Sequence, residues 1–95
     1  MVRFLALAQK ELDDAVGWYN EQSAGLGLEF LDEVDRAVRR TVSFPMSSPE
    51  IDSGIRRCLL ARFPYGLIYG VDQDTIVVVA LAHLHRNPRY WMDRI

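Results

Sequence analysis

Residues 56–94 read RRCLLARFPYGLIYGVDQDTIVVVALAHLHRNPRYWMDR, and the way this stretch divides into elements decides the fold. Three apolar runs, Arg56–Leu60, Phe63–Val71 and Thr75–Leu84, are separated by too few residues for anything but hairpins. Asp72-Gln73-Asp74 is the sharper turn and Leu60–Phe63 the other, with Pro64 just beyond it at a strand start. The run from Thr75 to Arg86 is apolar at both parities through Leu81, the pattern of a central strand covered on both faces. At its end the pattern changes: His83 and His85 share one face, Leu84 and Arg86 the other. Pro88 then opens a short final turn or helix carrying Tyr90, Trp91 and Arg94.

Working outward, Val2–Leu7 alternates weakly and reads as a short strand largely covered on both faces. Gln9–Glu21 reads as a helix with Leu12, Ala15, Val16 and Tyr19 on one stripe. Glu11, Asp13 and Asp14 then stand near its positive N-terminal end. Gly17 weakens that helix by about 1 kcal/mol relative to alanine, and close packing against a second helix would compensate. Ser23–Gly27 is a break. Leu28–Phe44 is the second helix, with Leu31, Val34, Val38 and Val42 on its stripe and Phe30 flanking it. Acids precede bases along it, as the macrodipole prefers. Pro45 and Pro49 end it, and Met46–Gly54 is a loop. Trp18 and Tyr19 are expected between helix and sheet. The whole is an α+β domain spanning residues 1–95: an N-terminal strand, a two-helix hairpin and a three-stranded antiparallel meander.

Composition narrows the classes. Ninety-five residues, about half of them hydrophobic, bury roughly 60–65% of the surface exposed on unfolding. The one cysteine, Cys58, has no internal disulfide partner, which fits a reducing cytoplasm. No apolar run reaches the length of a membrane span and no signal-peptide pattern opens the chain, so a cytoplasmic location without membrane contact is expected. Net charge is −2 but unevenly spread: residues 1–53 hold five basic and ten acidic side chains, residues 54–95 six arginines and three aspartates. The arginine-rich half suggests a polyanionic partner; solvated strand edges would leave the same trace.

The series Glu11, Leu12, Asp14, Ala15, Trp18, Tyr19, then Gly25–Gly27, Phe30, Pro45, Arg56–Arg57, the RFPY of Arg62–Tyr65, Tyr69 and the tail from His83 to Trp91 resembles the RelE/ParE superfamily of toxins of type II toxin–antitoxin (plasmid stabilization) systems. The likeness runs almost end to end. It implies a cognate antitoxin as partner. It also implies a target: on the first reading the ribosome with its messenger RNA, cut by a translation-dependent endoribonuclease, and on the alternative DNA gyrase, blocked by binding. A toxin fold that only pairs with an antitoxin is the third possibility.

Metal-free RNA cleavage needs a group to activate the ribose 2′-hydroxyl, a proton donor for the leaving oxygen and positive charge around the phosphorane. Arg57, Arg62, His83, Arg86 and Tyr90 are the catalytic candidates, expected on the sheet face away from the helices, near the end of the last strand. Arg56 and Arg57 point to opposite faces, so one of them grips the helices or solvent. His83 and His85, ~7 Å apart on one strand face, could seed a zinc site with Cys58 as a conceivable third ligand, or supply one acid–base imidazole, or simply be hydrogen-bonded structural residues. No cofactor is called for and no metal is assigned.

Overall fold

Thr75–His83 is the strand that the other elements are laid against, as its apolar residues at both parities require. The computed structural model describes all 95 residues. In chain order the elements are β1 (Val2–Phe4), α1 (Ala6–Gln22), α2 (Leu26–Ser43), β2 (Glu50–Asp52), β3 (Ile55–Leu59), β4 (Tyr65–Asp72) and β5 (Thr75–His83), with a 3₁₀ turn at Met92–Arg94. The sheet order is β1-β5-β4-β3-β2. β1 runs parallel to β5, pairing Val2 with Ile76 and Phe4 with Val78, and all other neighbours are antiparallel. The α+β architecture expected from the sequence is therefore the one found, with a five-stranded mixed sheet.

Several boundaries differ from the expectation, each for a physical reason. The first strand stops at Phe4 and the helix begins at Ala6. Leu5 N–H pairs with the Val78 carbonyl, after which the chain leaves the sheet. Glu11, Asp13 and Asp14 accordingly lie beyond the first helical turn, which holds no acid. The Met46–Gly54 segment is not wholly loop: Glu50–Asp52 forms an edge strand on β3. The last strand ends at His83, so His85 lies in a turn.

Most of the core lies between the helices and one face of the sheet. Leu12 and Ala15 from α1, Phe30, Val34 and Ala37 from α2, and Leu67, Tyr69, Val78 and Leu81 from the sheet form its centre. The buried stripe of α2 runs Phe30, Val34, Ala37, Thr41, one residue off the expected one. Leu31 and Val42 are exposed, because Phe30 sits in the middle of the packing against Tyr19, Phe63 and Tyr65 rather than beside it. Close helix approach occurs at Gly27, not Gly17. A Cβ on Gly27 would stand 2.6 Å from Asn20 Cγ, whereas Gly17 has nothing nearby. Gly25 sits at φ 85°, in the left-handed conformation glycine adopts readily, and turns the chain into α2.

The opposite sheet face is not open. Ile55, Ile68, Val79, Ala80 and Ala82 pack under Trp91, which is 1% exposed. The C-terminal tail folds back over this face, and Trp91 is the centre of a second small core. Trp18, expected inside, is 56% exposed.

Candidate functional site

β1 pairs with β5 only as far as Val78, so the outer edge of β5 beyond that point has no strand beside it. Backbone groups there must find other partners. Two side chains supply them. Glu11, from α1, accepts from Leu81 N–H at 3.1 Å, and Arg94, from the tail, donates to the Val79 carbonyl at 3.1 Å. The two also pair with each other through contacts of 2.9 and 3.1 Å. A bulge at Val79, between the Ile68–Ala80 and Tyr69–Val78 pairs, bends the strand at this place. An ion pair thus continues the sheet where the first strand has left it.

Glu11 gathers two more donors. The Tyr90 hydroxyl donates to it at 2.6 Å and Arg86 approaches at 3.4 Å, with the Arg86 guanidinium 3.7 Å above the Tyr90 ring. Burial, then the hydrogen bond to Glu11 and its negative charge, push the Tyr90 phenol far above its ordinary value, against partial opposition from Arg86 and Arg94. Tyr90 therefore stays protonated and committed to Glu11 at neutral pH.

Four of the five candidate residues, Arg57, His83, Arg86 and Tyr90, border one small cleft on the tail side of the sheet, and Arg62 stands apart from it. Arg86 and Tyr90 meet at Glu11. Arg62 lies in the turn after β3 and pairs with Glu29 and Glu33 of α2, on the helix side of the sheet. His83 packs edge-on against Tyr65 at 5.1 Å, also toward the helices. Arg57 reaches the tail-side cleft from β3, beside Ile68 and Asn87 and facing Arg86 and Tyr90. No hydrogen bond or ion pair engages its guanidinium. A Cβ on Gly66 would stand 2.9 Å from Arg57 Cγ, so the stem of Arg57 lies flat over the neighbouring strand only because residue 66 is glycine.

Arg56 pairs with no helix carboxylate; it donates to the carbonyls of Met46 and Ser48. Arg89 pairs with Asp52 of β2. Five of the six arginines of residues 54–95 are thus engaged inside the molecule, four of them by carboxylates of residues 1–53. The charge asymmetry is largely internal complementarity between the two halves of the chain. Glu11 and Arg94 were missed as site residues: no local pattern distinguishes Glu11 from Asp13 and Asp14 beside it. Two signals were available: Glu11 shares a helical face with Ala15, and it opens the series that carries the family resemblance.

His83 and His85 lie with ring centroids 5.2 Å apart. His83 Nδ1 accepts from the His85 N–H, which occupies one of its two ring nitrogens. Cys58 lies on β3 beneath Arg40, with β4 between it and His83, and no group of three or more His, Cys, Asp or Glu side chains is placed to hold a metal. No helix is long and apolar enough to cross a membrane.

A profile of the family described as ParE toxin of type II toxin–antitoxin system, parDE, matches residues 2–88. Among solved structures, a chain of the chromosomal ParDE TA system from P. aeruginosa superposes with a TM-score of 0.77 at 16% identity, covering 88% of this chain and 95% of that one. No curated protein matches the sequence.

Proposed function

This chain belongs to the ParE toxin family of type II toxin–antitoxin systems, and from that membership we propose that it is the toxin of a two-protein pair and acts by blocking DNA gyrase, without bond-breaking chemistry of its own. The observation that carries this reading is the commitment of Tyr90 and Arg86 to Glu11. A proton donor with a phenol held so far above neutrality, and already bonded, is poorly matched to acid–base work. Arg62, paired with Glu29 and Glu33 on the helix side of the sheet, does not join the other candidates.

The other partner is a ParD-type antitoxin. An apolar groove of about 310 Å³ between β1, α1 and α2, lined by Phe4, Leu12, Leu31, Val34 and Val38, supports a seat for it. Burial of an amphipathic segment there would cover the exposed Leu31.

One observation favours the second reading, ribosome-dependent messenger cleavage: Arg57, a free cation held over Gly66, shares one tail-side cleft with His83, Arg86 and Tyr90. The two readings separate in one experiment. The chain is induced in cells, and message 5′ ends and plasmid topology are read from the same culture. Relaxed plasmid with intact messages is the expected result. Codon-phased cuts that vanish in Arg57→Ala would overturn it in favour of the ribonuclease. If neither readout moves and growth continues, the chain is an antitoxin-binding module without toxicity.

A further inference from the structure

Glu11, Asp14, Trp18 and Glu21 follow one another at helical spacing along a single face of α1. Trp18 stands in the middle of this acidic stripe, 56% exposed. Facing it across a notch are Tyr65 and His83 from the sheet. Two adjoining cavities, of about 300 and 390 Å³, share Trp18, Tyr65 and His83 as walls. Nothing in the toxin–antitoxin reading uses this notch.

The chemistry of its walls selects a ligand. The indole and phenol rings offer negative π faces. Asp14 and Glu21 are acceptors one helical turn to either side of Trp18. Asp14 is engaged only by Lys10, in a pair whose side chains are 70% and 66% exposed, the kind of contact that exchanges at little cost. Glu21 has no internal partner. Arg86, at the far end of the notch, is held by Glu11 and stacked on Tyr90. The negative charge of Glu11 reaches Tyr65, whose phenol is pushed up by burial and then by Tyr19 and Glu11. Leu81 N–H points off the free edge of β5 toward Glu11, and in an antiparallel strand the carbonyl of the same residue points the same way, adding an acceptor.

The geometry points to a docking site in which a basic segment of a protein partner lays an arginine side chain against Trp18, its guanidinium over the rings and its N–H groups on Asp14 and Glu21. Planarity and five donors suit guanidinium to this combination better than a phosphate or an apolar side chain. The inference is independent of which target the toxin blocks.

Trp91 is 1% exposed, so changes in intrinsic emission caused by small solutes report on Trp18. The whole chain is titrated with an amidated tri-arginine peptide, and in parallel with tri-serine and with adenosine monophosphate. Tri-arginine should change the emission saturably, and more weakly as salt is raised. Asp14→Asn and Glu21→Gln should each weaken that response ~2–5-fold, with circular dichroism unchanged, while Asp32→Asn on α2 should leave it as it was. A saturable response to adenosine monophosphate instead would assign the notch to nucleotides and overturn the proposal. So would equal responses to tri-serine and tri-arginine, no saturable response at all, or an affinity indifferent to Asp14 and Glu21.

Discussion

Each helix sends one carboxylate into the sheet, and the two do opposite things. Glu33 of α2 accepts from Ala61 N–H at 3.0 Å and Arg62 N–H at 3.3 Å and pairs with Arg36. It caps one turn, and its guanidinium partners, Arg36 and Arg62, are 60% and 56% exposed. Glu11 of α1 accepts one backbone N–H and three side chains from the far end of the chain, and Arg94, its closest cationic partner, is 10% exposed. Glu33 finishes local structure already made by the β3–β4 hairpin. Glu11 closes the molecule, because the tail it holds carries Trp91 over the second core. The difference lies in what remains when the carboxylate is gone: exposed arginines return to water, a buried one cannot.

The sharpest test is Glu11→Ala against Glu33→Ala. Stranding Arg94 should cost about 3–5 kcal/mol in a urea titration, and in a Trp18→Phe background the emission of Trp91 should shift to the red as the tail loosens. Should Glu33→Ala prove equally damaging, the contrast between a closing and a capping carboxylate fails.

Tyr90→Phe comes next, with a loss of about 1.5–3 kcal/mol for one hydrogen bond to a charged acceptor. It carries a pH signature. The Tyr90 phenol titrates higher in the fold than in the unfolded chain, where it ionises near pH ~10. Its contribution is therefore complete below that pH and lost as the pH rises further. Urea midpoints of the parent should fall on the alkaline side more steeply than those of Tyr90→Phe. Part of the fall should persist in the variant, because Tyr19 and Tyr65 are also pushed up by burial.

Glu33 should set part of the opposite limb. Burial works against its ionisation, but the N–H groups of Ala61 and Arg62 and the charges of Arg36 and Arg62 outweigh it and hold the carboxyl below its usual range. Its contribution is present above the unfolded value of ~4.3 and lost as the pH falls through the folded one. Glu33→Gln should flatten the acid limb of the midpoint curve and leave the alkaline limb untouched; a change in both would mean the two regions are coupled. The smallest effect belongs to Arg62→Ala, at most about 1 kcal/mol for an exposed arginine, read as a shift in the same midpoint. A larger loss would make the Glu33 cluster more than a cap.

How much of this was legible beforehand follows from how local each signal is. Thr75–Leu81, apolar at both parities, identifies the central strand because both its faces are buried. The short gaps after Leu60 and Val71 allow hairpins alone, and the register confirms them. The α2 stripe was legible only to within one residue, since Val34 fits both the stripe read and the stripe found. The edge strand Glu50–Asp52 left no trace, being three residues long with two carboxylates.

The sequence by itself determined the α+β order of elements, the central strand and the family, because those depend on periodicity, turn residues and ordered motifs along the chain. Only the tertiary structure decided that β1 stops short of the end of β5, that Glu11 and Arg94 take its place there, and that five arginines are engaged internally while Arg57 is left free. The spacing of Glu11 from Arg86, Tyr90 and Arg94 exceeds seventy residues. Which of several neighbouring acids meets them is set by where α1 crosses the sheet and which edge groups of β5 need a partner, and no local pattern carries that information.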